Sequence, residues 1–159
     1  MSFDAMRAAA EAGDARAQTT LGYCYAVGRG VPQDLTVAVL WYRKAAEGGY
    51  APAQFNLAEM LRDGAGVEQS PQQAFEWYSK AAKQGHSKAQ YNIAMMYVQG
   101  EGVAADNVMA YVWLMLARGG DAEGVEQALE IVAKGIGDRI EEGDRILADL
   151  RSQVTRTQW

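Results

Sequence analysis

The chain has 159 residues, enough for one domain with a sizeable core, and its 49% hydrophobic and 22% charged residues exclude gross disorder. Its net charge of −5, with no Lys/Arg cluster beyond short pairs such as Arg43-Lys44, argues against nucleic acid, whose phosphates an acidic surface repels. One cysteine, Cys24, and one histidine, His86, exclude an intramolecular disulfide and a thiolate–imidazole zinc site, so no metal and no cofactor are expected.

The first segment, FDAMRAAAEA at 3–12, reads as a lone helix leading into Gly13. Its flank, MSFDAMRAAAEAG, lacks the basic n-region and apolar core of a secretion signal. Nothing later approaches the roughly 18 apolar residues of a membrane span. The expectation is a protein without membrane insertion that is cytoplasmic, or periplasmic if a leader has been removed.

From Gly13 the chain repeats itself at an offset of 36. Columns identical in all three copies include Gly13/Gly49/Gly85, Ala17/Ala53/Ala89, Gln18/Gln54/Gln90, Ala38/Ala74/Ala110, Trp41/Trp77/Trp113 and Ala45/Ala81/Ala117. Each copy holds two helical patterns. In the first copy, Ala17, Leu21 and Cys24/Tyr25 form one face of helix A, and Ala38, Trp41, Tyr42 and Ala45 form one face of helix B. Asp14 stands where helix A needs an N-cap. Asp34, Ser70 and Asp106 do the same for the three B helices, and Pro71 follows at the permissive first turn.

Between helices lie GRGVPQD, GAGVEQS and GEGVAAD. The last resembles a dinucleotide fingerprint, but such a loop needs a strand before it, and here a helix precedes each one. The first glycine fits a helix end that requires positive φ, the second a tight return, and the Val a place in the core. No period-two alternation indicates a strand, so the chain is predicted to be all-α. After Ala117 the fourth unit is one residue short of the period. A helix is expected from about Ala122 to Lys134, then a final one capped by Asp138 with Ile140, Leu147, Leu150 and Val154 facing inward. The predicted organisation is an N-terminal cap at 1–13, repeats at 14–49, 50–85 and 86–120, and a partial repeat with a C-terminal capping helix at 121–159. All of it belongs to one solenoid domain.

These residues resemble the Sel-one-like repeat family, a relative of the tetratricopeptide repeat. The first copy carries the family pattern as Ala17, Leu21, Gly22, Tyr25, Gly28, Gly30, Val31, Asp34, Ala38, Trp41, Tyr42, Lys44, Ala45, Ala46 and Gly49. The second departs at Ala58, Leu61 and Ser70, and the third at Ile93 and Ala94 before drifting through Leu114, Met115 and Leu116. The resemblance implies an α/α superhelix of antiparallel helix pairs, about three 36-residue repeats plus capping helices, with a concave groove. It also implies use as an adaptor for other proteins, mostly in bacteria and in eukaryotic quality-control complexes. Exported members often tie each helix pair with a disulfide, and this chain lacks such cysteine pairs.

Candidate chemistry is thin. The Trp column, with Ala three before and four after, fits core packing better than a ligand cage. Cys24 aligns with Met60 and Met96 and reads as an inert apolar thiol. His86 aligns with Asp14 and Tyr50 and reads as a solvated loop residue. Glu141, Glu142 and Asp144 beside Arg139 and Arg145 read as a solvated face. No G-x-S-x-G elbow and no S-x-x-K occur.

What remains is surface. In the arrangement the resemblance implies, certain helix-A positions turn away from helix B to line the groove: Thr19, Tyr23 and Ala26, then Phe55, Glu59 and Arg62, then Tyr91, Met95 and Val98. They vary between copies while core positions do not, which marks them as residues that stacking does not dictate. Tyr23, Phe55, Tyr91 and Met95 would form an apolar stripe of the kind that marks interaction sites, with Glu59 and Arg62 setting orientation. The leading expectation is a non-enzymatic scaffold that binds a peptide or helix of another protein there. Two alternatives are a hydrolase of the β-lactamase-like type described for some relatives, and a homo-oligomer built through the groove or last helix.

Overall fold

The computed structural model describes residues 2–154. Helix α1 spans Phe3–Glu11, α2 Ala15–Val27, α3 Leu35–Glu47, α4 Ala51–Asp63 and α5 Pro71–Lys83. They are followed by α6 Ser87–Gln99, α7 Asn107–Ala117, α8 Val125–Ile136, a 3-10 turn at Gly137–Arg139, and α9 Ile140–Gln153. The described residues contain no strand, and the fold is all-α, a solenoid of consecutive helix pairs carrying about three repeats. The chain divides into two compact units, one ending at Trp77 and the other starting at Tyr78, inside α5. In the first, α1 packs on α2, α2 on α3 and α3 on α4, and α2 also touches α4. In the second, α6 packs on α7, which also meets α8 and α9.

The repeated letters act through repeated hydrogen bonds. Asp34 accepts from the Val37 N–H at 3.0 Å, Ser70 from the Gln73 N–H at 3.3 Å and Asp106 from the Met109 N–H at 3.1 Å, so each B helix has a side-chain cap. Each A helix ends on a left-handed glycine, Gly28, Gly64 or Gly100, at φ of 73, 67 and 68°. A residue with a Cβ would be strained there. The loop then closes when Asp34, Ser70 and Asp106 donate their N–H to the carbonyls of Tyr25, Leu61 and Tyr97. At Gly66 a Cβ would fall 2.4 Å from the Leu35 carbonyl, so this loop rests directly on the backbone that starts α3.

In the first unit Met6, Ala10, Ala17, Leu21 and Cys24 form a buried cluster, with Val31 and Trp41 packed at its margin. Val31 thus tucks in as its loop position predicts. The Trp column needs correction. Trp41 and Trp77 are only half-buried, while the adjacent Tyr42 and Tyr78 are buried. The indole is wide enough to bridge core and surface, and the Lys44 ammonium lies 4.4 Å above the Trp41 ring. Trp113 is buried on α7, the helix that packs against α6, α8 and α9.

The C-terminal readings also shift. α8 starts at Val125 rather than Ala122 and runs to Ile136. Asp138 does not cap the last helix: it lies in the 3-10 turn, which feeds directly into Ile140 without the extended residue that a cap requires. Of the expected inward stripe only Leu147 is buried, whereas Ile140, Leu150 and Val154 are half-buried. Gly143 is the other buried position, because a Cβ there would lie 2.7 Å from the Tyr111 ring. The reading of a final helix running on through 155–159 lies outside the described residues.

Candidate functional site

Six of the nine singled-out residues fall in the first unit. Thr19, Tyr23 and Ala26 are on α2, and Phe55, Glu59 and Arg62 on α4, two helices that touch. Only Tyr23 among them is exposed, at 49%, and the others are half-buried. Thr19 spends its hydroxyl on the Ala15 carbonyl at 2.7 Å, a local helix contact. The Arg62 guanidinium lies 3.9 Å from Glu59 and donates through Nε to Asp63 at 2.8 Å. Both pairs are at the surface, where such contacts exchange readily.

Beneath this face lies Tyr42. Burial pushes its hydroxyl up to about 12, with Tyr23, Glu59 and Cys24 adding to the rise. The α2–α3 approach that seats it depends on Gly22, where a Cβ would come 2.8 Å from the Tyr42 ring. Val27, one turn beyond Tyr23, is 51% exposed and extends the apolar surface of α2. It lies beyond the Leu21-Gly22-x-x-Tyr25 signature, so the repeat frame does not single it out.

In the second unit, Tyr91, Met95 and Val98 lie on α6. Val98 is exposed, while Tyr91 and Met95 are half-buried. The cause at Tyr91 is the loop before α8: a Cβ at Gly124 would sit 3.4 Å from the Tyr91 hydroxyl. That loop is tied to the start of α6, since the Ser87 hydroxyl donates to the Asp121 carboxylate and the Asp121 N–H donates back to Ser87 at 3.2 Å. Lys88 adds an ion pair to Asp121 at 3.5 Å, and these contacts hold the Asp121 carboxyl below its ordinary range, Ser87 contributing most.

His86 is not the solvated loop residue its position suggested. It caps α6, its Nδ1 accepting from the Ala89 N–H at 3.3 Å. Burial lowers its proton affinity, and Lys88 lowers it further against the pull of Asp121. Its alignment with the capping residue Asp14 was the signal for this role. The acidic run also needs revision, because Asp144 accepts from the Tyr111 hydroxyl at 3.0 Å and so joins α9 to α7.

Cys24 is buried within the apolar cluster of the first unit. Among the described residues no three His, Cys, Asp or Glu side chains are grouped to hold a metal ion. No described helix is long and apolar enough to cross a membrane. Each unit presents aromatic and aliphatic side chains on its A helices that are exposed or half-buried.

The Sel1 repeat family profile matches residues 15–50, 51–86 and 87–117. No curated protein matches significantly in sequence. Among solved structures, c5321, a protective antigen of uropathogenic Escherichia coli strains with an SLR fold, is 33% identical and superposes with a TM-score of 0.86. That likeness covers 96% of this chain but 33% of c5321, so the chain spans a third of that protein's length. A Sel1 repeat protein from Oxalobacter formigenes is 36% identical with a TM-score of 0.73, over 79% of this chain and 95% of the other. Proteins of this fold generally serve as protein-interaction scaffolds.

Proposed function

We propose that this chain, which belongs to the Sel1 repeat family, is a non-catalytic interaction module that holds a peptide or helix of another protein on the outward faces of its A helices. One observation carries the reading. Tyr23 on α2 and Val98 on α6 remain substantially exposed at positions the repeat frame leaves variable, while the invariant columns at Ala38, Ala45, Ala53, Ala81, Ala89 and Ala110 are buried. Large apolar side chains kept at the surface of A helices suit a protein partner. In the first unit Tyr23 and Phe55 supply apolar contact, with Thr19 at the edge and Glu59 and Arg62 as the polar rim. In the second unit Tyr91, Met95 and Val98 do so. In the first unit the face stands on a helix fixed by the buried Gly22–Tyr42 contact, so little conformational freedom is lost when a partner binds.

The test uses Tyr23→Glu and Val98→Glu, each at an exposed position. The intact chain should retain specific proteins from a lysate of its source cells, and each variant should lose some of them while melting at an unchanged temperature. Identical captured sets for all three would sink the assignment. Light scattering on the same samples distinguishes a monomeric adaptor from a self-associating one.

A further inference from the structure

The second unit contains a cavity of about 530 Å³, outside the A-helix faces, whose wall is formed by the start of α6, the end of α7 and the end of α9. Two of its described lining residues are arginines, Arg118 and Arg151, and none of the described ones is a carboxylate, although the chain as a whole carries a charge of −5. The neighbouring carboxylates are already engaged: Glu126 by Arg118 Nε at 2.8 Å, Asp121 by Ser87 and Lys88, and Asp144 by the Tyr111 hydroxyl. Arg118 meets Glu126 through Nε, which leaves its terminal nitrogens for a second acceptor. Arg151 has no ion pair among the described residues. Arg118 and Arg151 thus border the same cavity, one from the end of α7 and one from the end of α9. Ser87 adds a hydroxyl to the wall, and Met115, Leu116 and Val154 supply an apolar side.

We infer that this cavity is a binding site for a carboxylate carried on a short apolar skeleton. Planar guanidinium forks match a carboxylate in geometry as well as charge, and the volume lies within the range of small-ligand sites. The apolar side selects a ligand with one charged end and one greasy end over a fully hydrated inorganic anion. The inference is independent of the A-helix faces, since none of Tyr23, Phe55, Tyr91 or Met95 lines the cavity.

The probe is N-acetyl-leucine, followed by amide chemical shifts in the full chain. At about 1 mM it should move the signals of Ser87, Gly119 and Gly120 saturably, while N-acetyl-leucinamide, which lacks the charge, should move them little. Inorganic phosphate should bind at least about tenfold more weakly, for want of an apolar part. Arg151→Gln should weaken N-acetyl-leucine by about tenfold with an unchanged melting temperature, and Arg151→Lys should restore part of the loss. An acetylated tripeptide ending in leucine separates two carriers of the same chemistry: retained binding assigns the site to peptide ends, and lost binding to free acids. The inference is overturned if the acid and its amide bind equally, if phosphate competes as well as the acid, if Arg151→Gln changes nothing, or if no signal moves.

Discussion

The side-chain amide of Gln54, buried one turn inside α4, donates to the Ala46 carbonyl oxygen in the last turn of α3 at 3.2 Å. Gln18 does the same to Ala10 and Gln90 to Ala82, both at 3.0 Å. The invariant glutamine column is thus a tie from each A helix to the end of the helix before it. The Ala46 carbonyl also accepts the Gly49 N–H, so it is not orphaned when the amide is removed.

Substituting Gln54→Leu removes this tie and should cost at least about 1 kcal/mol in urea unfolding. Gln54→Glu is the harsher change, because it sets a buried carboxylate against a carbonyl oxygen. Its loss should exceed about 2 kcal/mol at pH 7 and shrink as acid protonates the group. Equal losses for the two variants at pH 7 would show that the tie acts by shape alone.

A second prediction concerns the close approach of α2 and α3. Gly22→Ala would gain roughly 1 kcal/mol of helix propensity, but its Cβ would meet the Tyr42 ring at 2.8 Å, an overpacking that costs about 1–3 kcal/mol. The clash should win, giving net destabilisation. Adding Tyr42→Leu to Gly22→Ala takes away the ring that the new Cβ meets and should relieve the clash. A double-mutant cycle should show favourable coupling of about 1 kcal/mol, and additive losses would refute the pairing.

Tyr42 also sets an alkaline limit. Its hydroxyl is raised from 10.0 to about 12, burial being the main cause. An acid whose folded value is raised contributes stability that is fully present below the unfolded value and lost as pH rises from there through the folded value. Unfolding free energy should fall between pH 10 and pH 12 by roughly 2 kcal/mol, and Tyr42→Phe should flatten that limb. A limb of unchanged slope in the phenylalanine variant would assign the alkaline loss to other groups.

Much of this architecture was legible in the sequence because each structural device recurs at one offset. Gly28, Gly64 and Gly100 sit at left-handed helix ends, and Asp34, Ser70 and Asp106 cap the next helices, as their columns required. Legibility faded where no second copy exists for comparison. After Ala117 nothing repeats the frame, so the start of α8 and the turn at Gly137–Arg139 fall away from where the sequence pattern puts them. The positions that vary between copies could be picked out by elimination. The cover that the Gly124 loop gives Tyr91 could not, since that loop lies outside the repeat. Gly143 did leave a sign: a glycine inside a helix is costly, and here it admits the Tyr111 ring.

His86 makes the last prediction, on the acid side. As the cap of α6 it must keep Nδ1 unprotonated to accept the Ala89 N–H. Burial, with help from Lys88, depresses its folded value below the ordinary 6.5, while Asp121 pulls the other way. The unfolded chain therefore takes up the proton first as pH falls. The capping contribution is complete above pH 6.5 and declines from there towards the lowered folded value. His86→Asp keeps an acceptor at the same place, as Asp14 does for α2 at 2.7 Å, without titrating near neutrality. Unfolding curves between pH 5 and pH 7 should slope less in His86→Asp than in the unaltered chain. His86→Ala should lose about 1 kcal/mol at pH 7 and show the same shallow slope. A slope that survives in both variants would place the acid-sensitive group elsewhere.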